Sequence, residues 1–219
     1  KWNKRAYKSL SSYIQLLEQV IACYKNNFAY FRMQGKHTIK QSSVLVPYEK
    51  VKKVSRDSFN WIMQNADQLA NVPYSSGVQY QGKNYLPYHL KTDASQKSWD
   101  VYENRIVISF LHTVLLNAKQ IFLEFDRDIL NEERIISRIH GSFPKEYCAP
   151  IITIKSLQIS FCRILLGKLN HSIDTLQNLY TQYETLFDVQ TSMLTTLPRK
   201  TSTFCEIKPY AQVFKIIVH

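Results

Sequence analysis

Apolar residues recur along this chain mainly at helical spacing. From Ile106, the positions Phe110, Val114, Ala118, Ile121 and Phe125 follow at steps of three or four, and Ile108, Leu111, Leu115 and Phe122 widen the stripe. This pattern predicts a helix, running through about Phe125, that is apolar over more than half its circumference and surrounded by protein. Asp100 and Glu103 precede it at the spacing of a capping box, in which each side chain satisfies a backbone N–H of the opening turn. A second stripe, Leu10, Ile14, Leu17, Ile21 and Tyr24, broadened by Tyr13, Leu16 and Val20, predicts a helix from residue 2 to about 33 with Gly35 as terminator. A third, from Leu157 and Phe161 through Leu169, Leu176 and Tyr183 to Met193, predicts a long helix over about 152–194. A shorter one, capped by Ser55 or Asp57, runs through Phe59, Ile62, Met63 and Leu69.

Strand signals are few. Val78-Gln79-Tyr80 and Asn84-Tyr85-Leu86 flank Gln81-Gly82-Lys83 as a hairpin with glycine at the tight position. Val44-Leu45-Val46-Pro47 is a short extended piece, Asn71–Gly77 a loop, Lys91–Ser98 a polar linker, and His140-Gly141-Ser142-Phe143-Pro144 a break. The predicted fold class is mainly α: two long antiparallel helices joined by about 25 residues, an N-terminal helical section and a small β-hairpin. The chain divides into 1–98, a basic N-terminal section, 99–197, a helical hairpin, and 198–219, which stops inside an apolar run like the start of a truncated segment.

Length and composition agree with this picture. The 219 residues make one large domain or two small ones, and only 5 Gly and 7 Pro favour helix over sheet. Charge changes it more. Of the net +11, residues 1–100 hold 15 Lys/Arg against 6 Asp/Glu, with Tyr7, Tyr13, Tyr24, Phe28, Tyr30, Phe31, Tyr48, Tyr74, Tyr80, Tyr85 and Tyr88 interleaved. Cations among aromatics suit phosphate neutralisation and base stacking. The densest patch is Lys50, Lys52, Lys53 and Arg56, just before the second helix, where free N–H groups also suit a phosphate. Cys23, Cys148, Cys162 and Cys205 lack metal or disulfide spacing and read as free thiols of a reducing cytoplasm. No run of about eighteen uncharged apolar residues predicts a membrane span.

Known catalytic motifs are scarce. No P-loop, nucleophile elbow or H-E-x-x-H motif is present, and His112 on the central helix reads as a satisfied core histidine. The carboxylates Glu124, Asp126, Asp128, Glu132 and Glu133 read as a solvated face rather than a metal site. Glu206-Ile207-Lys208 has the E-x-K form used by Mg²⁺-dependent nucleases, with Asp188 eighteen residues upstream. Asp188, however, lies in a helical pattern, and Pro209 opposes a core strand after Lys208. An intact nuclease built on these three is the least favoured reading.

Tyr102-Glu103-Asn104-Arg105-Ile106-Val107 before an apolar helix resembles the signature of McrC-like and LlaJI-like restriction proteins, in which a mostly helical region precedes a PD-(D/E)XK nuclease domain. The flanks resemble the family in order: Val54–Ile62 as the preceding helix, Gln81–Pro87 as the strand before the signature, and Pro198–Phe214 as the segment ahead of the nuclease core. The resemblance implies a cytoplasmic anti-phage endonuclease that cuts foreign DNA with Mg²⁺ and has a AAA+ GTPase motor as partner. This stretch would then be its non-catalytic, DNA-contacting and partner-docking part, itself without cofactor, and an oligomeric assembly is also open. Asp100, Tyr102, Glu103, Asn104 and Arg105 would be architectural, Arg105 needing a carboxylate or carbonyl partner at the start of a largely buried helix. The competing reading is a helical protein–protein interaction scaffold that binds no nucleic acid.

Overall fold

The structure is a computed structural model that describes residues 4–73, 77–142, 144–189 and 191–218. It is mainly α, with two long helices, an N-terminal helix and small antiparallel sheets. The chain forms two compact units: a helical one, Lys1–Lys36 with Trp99–His219, and a second, His37–Ser98, inserted in sequence between them. The expected boundary after residue 98 coincides with a unit boundary, whereas the first helix groups with the later helices rather than with 37–98.

In the helical unit, α1 (Lys4–Gln34) buries Leu10, Ile14, Leu17, Ile21, Tyr24 and Phe31, with Phe28 partly covered. Steps of four and three alternate along this seam from Leu10 to Phe31, keeping one face turned to its neighbours for about six turns. The helix ends before Gly35, at a negative φ. Glycine is required there by close approach: a Cβ would lie 2.5 Å from the Phe31 carbonyl oxygen and 3.0 Å from the Trp99 ring.

Helix α3 (Tyr102–Ser142) extends well past Phe125, and α4 (Lys145–Phe187) begins well before Ile152, so the two are joined across Phe143 and Pro144 rather than by some 25 residues. Phe143 lies outside the described residues. The charged stretch stays helical because it is partnered: Lys155 Nζ meets Glu132 at 2.5 Å and Arg163 meets Glu133 at 2.6 Å. At the other end α4 stops at Phe187, seven residues short of the predicted Leu194, because Asp188 turns left-handed at φ 47°. Beyond it, residues 191–201 run without helix or strand beside α3. The Ser192 N–H donates to Ser109 Oγ at 3.4 Å and the Leu194 N–H to Thr113 Oγ1 at 2.8 Å. Two short helices close the chain, α5 (Ser202–Glu206) and α6 (Lys208–Val218), and Tyr210 and Val213 of α6 are fully buried.

Three helices meet in a core of interlocked tyrosines. The Tyr24 hydroxyl donates to the Val107 carbonyl at 2.6 Å, and the Tyr183 hydroxyl to the Tyr24 carbonyl at 2.8 Å. Burial, with the nearby Tyr183 and Cys23, pushes the Tyr24 hydroxyl far above its ordinary range, and burial does the same to Tyr183.

The hairpin α3–α4 contains two stretches long and apolar enough to cross a membrane by length and composition. Ile151, Ile154, Leu157, Phe161 and Ile164 of α4, each more than half exposed, sit beside the acidic stretch of α3 to which Lys155 and Arg163 are paired.

The inserted unit is richer in strand than its sequence suggests. β1 (Thr38–Pro47) pairs antiparallel with β5 (His89–Ser98) over ten residues, from Thr38 opposite Ser98 to Pro47 opposite His89. The polar linker is therefore a strand, hidden from pattern reading because both ribbon faces are largely exposed and no apolar alternation marks it. β2 (Leu69–Val72), β4 (Lys83–Pro87) and β3 (Val78–Tyr80) form a second sheet in the order β2-β4-β3. The predicted hairpin is present: Tyr80 pairs with Lys83 across Gln81 and Gly82, both at positive φ (49° and 76°), a type I′ turn. Tyr74, Ser75 and Ser76 of the expected loop lie outside the described residues. α2 (Arg56–Gln64) is capped by Ser55, whose N–H donates to Ser58 Oγ at 3.1 Å, and it ends five residues before Leu69, which belongs to β2.

Candidate functional site: a buried polar junction and a basic groove

Two places bring chemistry together, one in each unit. The first is built on the opening turn of α3. Glu103 and Asn104 are buried, and the turn is closed by the Arg105 N–H donating to the Val101 carbonyl at 3.1 Å. That register corrects the Asp100–Glu103 capping box. The flanking residue is Val101, and Glu103 Oε1 is committed elsewhere, to Lys36 Nζ at 2.9 Å and Thr201 Oγ1 at 2.9 Å. The reciprocal cap of this protein is the Ser55–Ser58 pair of α2.

Asn104 joins three chain segments. Its Nδ2 donates to the Lys36 carbonyl at 2.8 Å and the Trp99 carbonyl at 2.7 Å, while its Oδ1 accepts from the Tyr210 hydroxyl at 2.5 Å. The Lys36 N–H in turn donates to the Tyr210 oxygen at 2.9 Å, and Lys36 Nζ also meets Thr203 Oγ1 at 2.8 Å. Lys36 and Trp99 are the residues where the chain leaves and re-enters the helical unit. One buried amide therefore pins both ends, and α6 supplies the hydroxyl that completes it.

Burial alone would raise the Glu103 carboxyl. The hydrogen bond from Lys36, with lesser help from its own N–H, Thr201 and the Lys36 charge, instead holds it below the ordinary carboxylate range. Burial pushes the Tyr210 hydroxyl well up. A tyrosine hydroxyl, an amide and a carboxylate paired with a half-open lysine thus tie the chain just after α1 to α3, α6 and the segment before α5.

Arg105 is not part of it. Its side chain is 56% exposed and meets Asp100 at 2.5 Å, an ion pair that raises the guanidinium further. The expected carboxylate partner is therefore present, but at the surface rather than buried: Tyr102 and Arg105, three apart, face outward, and the Tyr102 hydroxyl accepts from the Arg199 N–H at 2.7 Å. His112 also departs from expectation. It stacks on Tyr180 at 5.1 Å, but its buried Nδ1 has no partner among the described residues.

The second place lies in the inserted unit. Lys50 closes a short 3-10 turn, Lys52 and Lys53 follow in extended chain, and Arg56 opens α2; all four are exposed and none has an ion-pair partner among the described residues. Their backbone is tied down by Thr92 Oγ1 of β5, which donates to the Lys53 carbonyl at 2.7 Å. Beside them a groove of about 490 Å³ is lined by Pro47, Tyr48 and Glu49 on one side and Leu86, Pro87 and Tyr88 on the other. The Tyr48 N–H donates to the Tyr88 carbonyl at 3.1 Å, which fixes the two walls to each other. Sequence reading found the cations but not the groove, since it depends on strand pairings between distant segments.

Other candidates fall apart in space or in context. Asp188 is the left-handed residue after α4, Glu206 ends α5 and Lys208 opens α6, so none stands on a strand. Pro209 sits in the first turn of α6, where its missing N–H costs nothing. Many of the interleaved aromatics are core: Tyr24 and Phe31 are fully buried, and Tyr13, Phe28 and Tyr30 are partly buried against that core. Tyr80 and Tyr88 are open to solvent, Tyr74 lies outside the described residues, and the side chain of Tyr7 is likewise not described. Among the described residues no acidic, histidine or cysteine cluster is placed to hold a metal, and Cys23, Cys162 and Cys205 form no disulfide.

No curated protein and no solved structure matches the chain. A family model described as a domain of unknown function, DUF2357, matches residues 2–138, which spans α1, the inserted unit and nearly all of α3. Since that match covers more than half of the 219 residues, the chain belongs to the DUF2357 family.

Proposed function

We propose that this chain is a non-catalytic, DNA-contacting and partner-docking part of an anti-phage restriction nuclease of the kind its Tyr102–Val107 signature resembles. The observation that carries the reading is the exposed, unpaired cluster Lys50, Lys52, Lys53 and Arg56 at the start of α2. Four cations within seven residues, held on an anchored backbone, neutralise phosphates without sequence preference. In this reading the Mg²⁺-dependent PD-(D/E)XK core lies elsewhere in the protein, a AAA+ GTPase motor is the docked partner, and the location is cytoplasmic.

A second reading, a protein–protein scaffold without nucleic acid, is favoured by a different observation. Ile151, Ile154, Leu157, Phe161 and Ile164 form a stripe of exposed apolar side chains on α4, of the kind that marks interaction surfaces. Fluorescence anisotropy with a random duplex at two salt concentrations separates the two. The DNA reading expects affinity to fall linearly in log[salt], and the change of Lys52 and Lys53 to Glu to weaken binding and flatten that slope. A parent and double variant that bind alike would sink it.

A further inference from the structure

We propose that the groove beside the basic cluster receives one unstacked nucleobase, so that the inserted unit grips single-stranded or locally opened nucleic acid rather than intact duplex. The inference rests on the nucleic-acid reading above and names the form of the ligand. The groove's chemistry is that of a base slot. Pro47, Leu86 and Pro87 give flat apolar contact, and Tyr48 and Tyr88 add two aromatic rings on turns hydrogen-bonded to each other. Tyr88, the single residue between β4 and β5, is 70% exposed, a large ring left in water with no side-chain partner among the described residues. Base-on-aromatic stacking uses such a ring and tolerates any base, because every base has a π-face. The volume, about 490 Å³, lies within the roughly 300–1,000 Å³ typical of small-molecule sites and is open enough for a nucleotide.

Charge fixes the polarity of the ligand. The only charged side chain lining the groove among the described residues is Glu49, an anion that repels phosphate, whereas the cations begin at the next residue, Lys50. A phosphate backbone thus tracks Lys50, Lys52, Lys53 and Arg56 while a base turns into the groove. A carboxylate there accepts hydrogen bonds from an exocyclic amine such as cytosine N4. Cytosine therefore fits better than thymine, whose exocyclic groups are acceptors.

The test is fluorescence anisotropy of the full 219-residue chain with labelled 12-mers of dC, dT, an abasic strand and a duplex. We expect dC to bind about tenfold more tightly than the abasic strand or the duplex, a factor set by stacking of one base. Tyr88→Ala should remove that preference and Tyr88→Phe should keep it, because only the ring is needed. Glu49→Gln should narrow the gap between dC and dT. Both positions are exposed, so unchanged far-UV circular dichroism is expected and separates lost binding from lost fold. Equal affinity for dC, abasic strand and duplex, each abolished by changing Lys52 and Lys53 to Glu, overturns the base slot and leaves the phosphate-binding patch standing. No binding to any of the four overturns both.

Discussion

At the scale of single residues, neighbours in one turn carry opposite weights. Asn104 and Arg105 are adjacent in sequence, yet the amide is fully buried with three partners on three segments and the guanidinium is half in water. Asn104→Ala strands two carbonyls and a hydroxyl inside the helical unit and should cost on the order of 3 kcal/mol. Arg105→Ala removes an exposed ion pair and should cost less than about 1 kcal/mol. Urea midpoints followed at 222 nm compare them, and equal losses would refute the assignment. Glu103 adds a pH signature. Its carboxyl is held below the ordinary value, so its contribution is present above the unfolded-state pKa of about 4.3 and is lost as pH falls through the lower folded value. The stability gap between the parent and Glu103→Gln should therefore be full at neutral pH and shrink below about pH 4, a trend readable from urea midpoints across that range.

At the scale of elements, the hairpin β3–β4 offers the cleanest test. Both turn residues are left-handed, and Gln81 bears a side chain that prefers to avoid that region. Gln81→Asn should stabilise the inserted unit by about 0.5 kcal/mol, and Gly82→Ala should destabilise it by about 1 kcal/mol. Opposite shifts in amide exchange at Tyr80 and Lys83 would show the pair. The turn was legible from Gly82 between two apolar runs. The ladder β1–β5 was legible only at Val44–Pro47, read as a short extended piece; the rest of both strands is polar and two-sided and the two lie about fifty residues apart, so the remainder looks like linker until the partner is present. The long helices show the reverse error. Periodicity located them, but α4 was read seven residues too far because Val189 keeps helical spacing while it packs from the non-helical segment that follows Asp188.

For the molecule as a whole, the nuclease candidates decide what can be expected of it alone. Asp188, Glu206 and Lys208 stand at helix ends rather than on the strands that would align a metal and its water. The purified 219-residue chain should leave supercoiled plasmid intact in Mg²⁺, and cleavage that Glu206→Ala abolishes would overturn this. The charge asymmetry also changes meaning. Part of the basic half is α1, which packs in the helical unit with Tyr24 and Phe31 buried and Tyr13, Phe28 and Tyr30 partly buried, whereas Tyr80 and Tyr88, the more exposed rings, stand in the inserted unit.

The sequence by itself determined the helical class, the three long helices, the turn at Gln81-Gly82 and the cationic cluster before α2. Each is a local matter of period, cap or composition, carried by residues within a few turns of one another. Only the tertiary structure decided that Lys36, Trp99, Asn104 and Tyr210 meet, that Glu103 serves Lys36 and Thr201 rather than its own cap, and that Pro47 and Tyr48 face Pro87 and Tyr88 across a groove. Apart from Asn104 and Trp99, which are five residues apart, these contacts join residues roughly 40 to 170 apart in sequence. No periodicity encodes them; the polar ones form because a group taken out of water must find its hydrogen-bond partners inside the fold, whichever segments carry them.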